Sequence, residues 1–122
     1  MPDSPLDWDH VVTLAQAELP EVEVSTSYGT PALKVRKKLF ARLREDSEHL
    51  VLFVDFIERE ALVQSSPDVF SVTPHYVDWP MVLIRLDRVD PGELRELVIE
   101  SWRRRAPKRL LAAFDEGGGP SG

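Results

Sequence analysis

The sequence predicts a two-layer α+β fold, in which helices pack on one face of an antiparallel sheet. Helical patterns stand at both ends of the chain, with one short helical pattern between them, and strand patterns fill the remainder. The strands do not alternate regularly with helices, as they would in a parallel doubly wound sheet. The predicted order is therefore α-β-β-β-β-α-β-β-α, in a single domain over residues 1–114 followed by a flexible tail over 115–122.

The first helix is predicted from a start signal at Ser4. The Ser4 hydroxyl can accept a hydrogen bond from a backbone N–H of the first turn, and Pro5 suits the first helical position. Asp7 is favoured near the positive end of the helix dipole, and Pro20 ends the helix. The apolar residues that recur at helical spacing are Trp8, Val12, Ala15 and Leu19.

Strands joined by short turns are predicted from the alternating residues between Val22 and Arg44. In the turn SYGTP, Gly29 can adopt the positive φ that a tight turn needs. The segment HLVLFVD, from His49 to Asp55, is apolar on both faces, which is typical of a central and covered strand.

The second half of the chain predicts a short helix, two strands and a long helix. The short helix covers Ile57 to Ser65, and the strands lie in VFSVTPHYVDWP and MVLIRL. Asp90 is predicted to cap the long helix, because Pro91 suits its first turn and Glu93 stands three residues after the cap. The segment KRLLAAF can form a last short helix before the tail.

Composition and charge exclude several classes of protein. The 122 residues suit one domain, and the absence of cysteine excludes disulfides, thiolate catalysis and cysteine-bound metal. The acidic start lacks the apolar run of a signal peptide, and no apolar stretch is long enough to span a bilayer. We therefore expect a cytoplasmic protein. The net charge of −6 disfavours nonspecific binding to nucleic acid.

Motifs for catalysis, metal binding or cofactor binding are absent from the sequence. No G-x-S-x-G elbow presents a serine nucleophile, and Gly29 is a lone glycine that makes no phosphate loop. The histidines lack metal-ligand spacing; they are His10, His49 and His75. We therefore expect a protein that is not an enzyme and that needs neither a metal nor a cofactor.

The segments SYGTPALKVRKKLFARL, VTPHYVDWPMVLIRLDRVD and ESWRRRAPKRL stand in this order between Trp8 and Phe114. Together they resemble the MmcQ/YjbR family of small bacterial proteins. The resemblance implies a compact domain similar to frataxin-like and secretion-chaperone-like folds, a DNA-binding role, and no catalytic residues. Lys37 stands where the family usually has glycine, so we expect either a different turn or a left-handed Lys37.

Two basic blocks, Lys34–Arg44 and Arg103–Arg109, contain most of the positive charge. Strict alternation along a strand would put Phe40 on the same side as Arg42. Such a surface can contact phosphates and stack a base, or it can be a solvated face that protects a hairpin from edge pairing. The predicted phosphate contacts are Lys34, Arg36, Lys38, Arg42, Arg103, Lys108 and Arg109, with Tyr28, Phe40 and His75 as stacking or hydrogen-bonding accessories.

A binding pocket is the alternative prediction. Polar-tipped and aromatic side chains stand near the predicted strand ends and turns, where they can converge on a small anionic ligand or on a peptide or protein partner. They can equally be half-buried packing residues whose polar tips bond to backbone groups. A secretion-chaperone role would need an exposed apolar patch and a dimer. The candidate pocket residues are Ser27, Tyr28, Thr30, Lys38, Thr73, His75, Tyr76 and Trp79.

Overall fold

The computed structural model describes residues 6–117 as one six-stranded antiparallel sheet with four helices. The helices are α1 (Trp8–Glu18), α2 (Phe56–Ser65), α3 (Pro91–Arg105) and α4 (Lys108–Gly117), and a 3-10 turn spans Pro74–Tyr76. The strands are β1 (Val22–Ser27), β2 (Thr30–Val35), β3 (Lys38–Leu43), β4 (His49–Phe53), β5 (Phe70–Ser71) and β6 (Met81–Arg85). They lie in the order β1-β2-β3-β4-β6-β5. The predicted α+β class and element order are confirmed, with α4 as a further helix.

Aspartate side chains cap helices α1, α2 and α3 at their N-termini. Asp90 accepts a hydrogen bond from the backbone N–H of Glu93 (3.0 Å), so the predicted cap of α3 is confirmed. Asp7 accepts in the same way from the backbone N–H of His10 (3.0 Å) and caps α1, which begins at Trp8. Ser4 and Pro5 themselves lie outside the described residues, but the helix start predicted there is wrong, because Leu6 and Asp7 are not helical and Asp7 is the cap.

Helix α4 includes the first three residues of the segment predicted as a tail. Two contacts with α3 hold it in place. Asp115 on α4 accepts from the Arg103 guanidinium (2.6 Å), and the Phe114 ring lies 5.0 Å from the Trp102 ring. The remaining residues of the predicted tail, 118–122, lie outside the described part of the chain. Within that part, no helix is long and apolar enough to cross a membrane.

One apolar core lies between the helices and one face of the sheet. Each helix contributes buried side chains to it, among them Ala15, Leu62, Trp102 and Leu110. The alternate residues of the central strand β4, Leu50 and Leu52, enter the same core from the sheet. The prediction that helices pack on one face of the sheet is therefore confirmed.

A β-bulge changes the alternation of side chains in β3. Lys34 on β2 pairs with Leu39, but its neighbour Leu33 pairs with Ala41, so Phe40 is an extra residue without its own partner. Because of this extra residue, Phe40 and Ala41 both point into the helix-covered core, where both are buried.

The buried hydroxyl of Ser101 on α3 makes hydrogen bonds with two backbone groups, one at this bulge and one on the neighbouring strand. It donates to the Phe40 carbonyl and accepts from the backbone N–H of Phe53 on β4 (2.9 Å). The expectation that Phe40 shares a face with Arg42 and stacks a base is therefore wrong. Strict alternation cannot anticipate a bulge, because the bulge depends on how β3 pairs with β2.

Two tight hairpin turns join β1 to β2 and β2 to β3. Their central residues all have positive φ: Tyr28 (52°) and Gly29 (79°) in the first turn, Arg36 (49°) and Lys37 (71°) in the second. Positive φ at both central positions is the requirement of a type I′ turn, which matches the twist of the flanking strands. Lys37 thus adopts the left-handed conformation, which is one of the two alternatives expected for this turn.

Candidate functional site

The face of the sheet that the helices leave uncovered carries a cavity of about 600 Å³. Its apolar floor is formed by every second residue of the central strands, and the residues between them on the same strands point into the core. These floor residues are Leu39 on β3, Val51 and Phe53 on β4, and Met81 on β6. A cavity of this volume with an apolar floor is typical of small-molecule sites.

Arg42 on β3 brings a buried positive charge to this floor, with only 7% of its side chain exposed. Its Nε donates to Thr30 Oγ1 (3.0 Å), one terminal nitrogen donates to the Tyr76 hydroxyl (2.8 Å), and the other donates to Glu45 (2.6 Å). The Tyr28 ring lies 5.5 Å from the guanidinium carbon. A guanidinium has five N–H groups, so two have no partner among residues 6–117.

Glu45 occupies the rim of the cavity beside Arg42. Its side chain is 66% exposed, in contrast to the buried Arg42 that it contacts. Its own backbone N–H and the positive charge of Arg42 hold the pKa of the Glu45 carboxyl below its usual value. The carboxylate is therefore the form of Glu45 that faces Arg42 at neutral pH.

Arg59 on α2 organises one wall of the cavity, the β5–β6 loop (residues 72–80). Its guanidinium donates hydrogen bonds to four backbone carbonyl oxygens, three on this loop and one at the residue that follows it. One charged side chain thus holds the loop in position. The Phe56 ring lies 4.8 Å from the guanidinium carbon and covers it. The four acceptors are the carbonyl oxygens of Tyr76 (3.2 Å), Trp79 (2.7 Å), Met81 (3.2 Å) and Val77 (2.9 Å).

Aromatic side chains form the walls above the apolar floor. Tyr28 rises from the β1–β2 turn and is 87% exposed, and Trp79 on the β5–β6 loop is 60% exposed. The His75 ring meets the Tyr76 ring edge to face, with 4.8 Å between centroids. The Thr73 hydroxyl, also at the cavity, is buried without a hydrogen-bond partner among the described residues.

The structure therefore brings together five of the predicted accessory and pocket residues, which line one cavity. They are Tyr28, Thr73, His75, Tyr76 and Trp79. Sequence reasoning missed the apolar floor residues and three charged ones, Arg44, Glu45 and Arg59. Glu45 stands three residues after Arg42, a spacing that could have indicated the pair. Arg59 shows no local signal, because its four partners lie 17 to 22 residues away in the chain.

The predicted phosphate contacts of the first basic block are divided among different surfaces. Lys34 pairs with Leu39 on the cavity face, whereas Lys38 pairs with Val35 and so belongs to the helix-covered face. Arg36 lies in the turn and donates two hydrogen bonds to Glu21. That pairing raises the pKa of Arg36 and lowers the pKa of Glu21.

The second basic block meets the first at the start of β3. Arg105, at the end of α3, donates to the Leu39 carbonyl (2.8 Å), and its guanidinium carbon lies 4.4 Å from the centroid of the Phe53 ring. Burial, followed by the neighbouring charge of Arg104, lowers the pKa of Arg105. Arg103 is paired with Asp115 on α4. Lys108 and Arg109 begin α4 and are exposed, with no ion-pair partner within residues 6–117.

Clusters that could hold a metal ion are not found in the described part of the chain: no three His, Cys, Asp or Glu side chains are grouped there. The polar and aromatic residues of the cavity are the buried Arg42, the partly exposed Arg44, the exposed carboxylate of Glu45, a histidine, aromatic rings and hydroxyls. Such a set offers hydrogen-bond donors and stacking surfaces to an organic ligand.

Comparison with known proteins identifies the relatives of this chain. A model of the YjbR family matches residues 17–104, a range that includes every residue lining the cavity. The chain belongs to the YjbR family. The resemblance found in the three sequence segments is thereby confirmed.

Two mycobacterial proteins are similar to this YjbR chain over part of its length. The uncharacterized protein Rv2570 of Mycobacterium tuberculosis (strain ATCC 25618 / H37Rv) is 43% identical over 54 residues, which are 44% of this chain. The uncharacterized protein Mb2600 of Mycobacterium bovis gives the same figures. The match spans only 42% of the length of these curated relatives.

A solved structure shares the fold of the YjbR chain. The crystal structure of Deinococcus radiodurans protein DR2400, which carries the DUF419 domain, superposes with a TM-score of 0.74. The superposition covers 94% of this chain and 91% of DR2400, at 24% sequence identity. At this identity the likeness concerns the fold alone.

Proposed function

We propose that this YjbR-family chain is a binding module without catalytic activity, and that its cavity holds a small organic ligand with a planar apolar body and an anionic group. The observation that carries the proposal is Arg42, a buried cation with two N–H groups unpartnered among residues 6–117. Buried charges are costly unless they are fully paired, so a ligand anion at Arg42 would be stabilised there.

The shape of the cavity supports a planar apolar body for the ligand. Tyr28 and Trp79 present largely exposed rings on two sides, and the floor between them is made of aliphatic and aromatic side chains. An aromatic or conjugated ligand would bury both rings and the floor together. Large exposed aromatic side chains around a pocket are typical of recognition sites.

The hydrogen bonds at the cavity support binding rather than catalysis. Nucleophilic catalysis needs a hydroxyl beside a base that removes its proton. The Tyr76 hydroxyl accepts from Arg42, and Thr30 Oγ1 donates to the Ser27 carbonyl (2.9 Å). No hydroxyl of these described cavity residues is hydrogen-bonded to His75.

A thermal-shift screen of aromatic fragments tests the proposal. We expect a subset of anionic aromatic compounds to raise the Tm of the wild-type chain, because a ligand that binds only the folded state stabilises it by mass action. The shift should disappear in Trp79→Ala. The matched control is Ile57→Ala, which removes an even more exposed apolar side chain (84% against 60% for Trp79) outside the cavity lining. If no fragment shifts the Tm, or if Trp79→Ala responds like the wild type, the proposal is wrong.

DNA binding is a second proposal. It is supported by basic residues that have no ion-pair partner in the described part of the chain, and by the contact between the two basic blocks at Leu39. It ranks second because Arg36 and Arg103 are paired with carboxylates, and because Lys34 and Lys38 lie on opposite faces. Among the predicted phosphate contacts, those that remain available are Lys34, Lys38, Lys108 and Arg109.

A mobility-shift assay with a short duplex at low ionic strength tests this second proposal. A shift that weakens steeply with added salt, and that is lost in the double variant Lys108→Glu and Arg109→Glu, would support phosphate contact. A wild-type chain that produces no shift at low ionic strength would remove DNA binding from consideration.

A further inference from the structure

The rim of the cavity already holds a carboxylate on the buried cation. Glu45 Oε2 lies 2.6 Å from a terminal nitrogen of Arg42, within the range of a charge-assisted hydrogen bond. The contact shows that the outer edge of the guanidinium accommodates a carboxylate group. It also means that any ligand anion arriving at Arg42 meets a carboxylate of the chain itself.

The position of Arg42 does not depend on Glu45. Thr30 and Tyr76 hold the guanidinium through Nε and the other terminal nitrogen, and both belong to elements far from Glu45 in the chain. Arg42 therefore has two fixed anchors and one exchangeable partner. If Glu45 moves away, the buried cation still needs an anion in its place.

The two partners also differ in how easily they can move. Arg42 is enclosed, with 7% of its side chain exposed, whereas Glu45 is 66% exposed and has solvent on its outer side. An exposed carboxylate regains hydration when it leaves its partner, whereas a buried cation left without an anion is destabilised. Glu45 can therefore leave at low cost only when another anion takes its place on Arg42.

We infer that the cavity takes an organic monocarboxylate whose carboxylate replaces that of Glu45 on Arg42, so that Glu45 acts as a built-in competitor for the site. This inference rests on the proposed binding function. The apolar part of the ligand then lies on Val51, which is the cross-strand neighbour of Arg42, between the Tyr28 and Trp79 rings. Glu45 thereby sets how tightly carboxylates bind, and leaves the binding of neutral molecules unaffected.

Calorimetric titration of the full chain with three matched probes tests the exchange. The probes are cinnamate, its neutral amide cinnamamide, and cinnamyl phosphate, which share one planar body and differ in the terminal group. The variant is Glu45→Gln, which removes the competing charge but keeps an amide oxygen that can accept a hydrogen bond from Arg42. Its Tm without probe is measured first, because Arg42 loses its anionic partner. The matched control is Glu96→Gln, which removes one exposed negative charge from α3, on the other side of the sheet.

We expect cinnamate to bind Glu45→Gln about fivefold more tightly than the wild type, which corresponds to the upper range for an exposed ion pair. Cinnamamide should bind both chains equally and more weakly than cinnamate, and Glu96→Gln should behave like the wild type.

Equal cinnamate affinity in Glu45→Gln and wild type would overturn the exchange of carboxylates. If cinnamate binding is nevertheless lost in Trp79→Ala, the proposed function of the cavity is still supported. Tighter binding of cinnamyl phosphate than of cinnamate would overturn the carboxylate preference. Failure of every probe to bind either chain, together with an empty fragment screen, would overturn the binding function itself.

Discussion

The two faces of the sheet in this YjbR-family chain differ in how completely their polar groups are paired. On the helix-covered face, Ser101 is the buried polar side chain, and both of its hydrogen bonds are made within the core. On the uncovered face, Arg42 has two unpartnered N–H groups and Thr73 a buried hydroxyl with no partner among the described residues. Fully paired polar groups stabilise a fold, whereas incompletely paired ones favour an incoming ligand. The helix-covered face thus carries the packing that stabilises the fold, and the uncovered face carries the proposed binding site.

The largest difference between the faces should appear when an aromatic ring is removed from each. Phe40→Ala should lower the free energy of unfolding by about 3–5 kcal/mol, because the ring is fully buried at the bulge and leaves a cavity. Tyr28→Ala, on the uncovered face, should change it by less than about 0.5 kcal/mol, because the side chain is largely exposed. Urea denaturation measures both. Similar values for the two variants would contradict the assignment of Phe40 to the core.

The hydroxyl at the bulge provides the next test. Ser101→Ala should cost about 1–3 kcal/mol, because the Phe40 carbonyl and the Phe53 N–H would both remain buried without a partner. The control is Ser65→Ala, which removes an exposed hydroxyl that donates only to the Leu62 carbonyl of its own helix. Equilibrium unfolding of both variants gives the comparison, and a neutral Ser101→Ala would show that the bulge does not need this side chain.

The β5–β6 loop, which forms one wall of the cavity, should become less stable when the Arg59 guanidinium on α2 is removed. Arg59→Gln should lower the free energy of unfolding by about 1–2 kcal/mol and accelerate amide exchange in the β5–β6 loop, because four carbonyls lose a charged donor. Arg88→Gln is the matched control, since Arg88 is exposed and makes only a distant ion pair with Asp68 (3.7 Å). Hydrogen exchange measured by mass spectrometry would refute the role of Arg59 if the loop exchanges at the same rate in both variants.

The smallest expected effect has the opposite sign. Thr73→Val should raise the free energy of unfolding by about 0.5–1 kcal/mol, because it removes a buried hydroxyl that has no partner in the described structure. Thermal unfolding without ligand measures this change. A loss of stability would mean that the Thr73 hydroxyl is paired in solution, and the contrast between the two faces would then be smaller than the structure indicates.

Much of the fold could be predicted because it depends on neighbouring residues. The Asp90 cap bonds to a backbone group three residues away, and the central strand is visible as the continuous apolar run HLVLFVD. The aromatic and polar residues of the candidate pocket were also visible as a set near strand ends. Their convergence on one cavity needed the tertiary structure, because Tyr28 and Trp79 belong to distant turns.

What the sequence by itself determined is the order of helices and strands, the Asp90 cap, the family, and the residue types available for binding. These follow from local hydrogen bonds, side-chain periodicity and motif composition, all of which act over a few residues. The tertiary structure alone decided that Phe40 points into the core, that Arg42 is buried on the opposite face, and that Arg59 supports the cavity wall. Strand register and contacts between distant segments control these outcomes, and a one-residue bulge is enough to move a side chain from one face to the other.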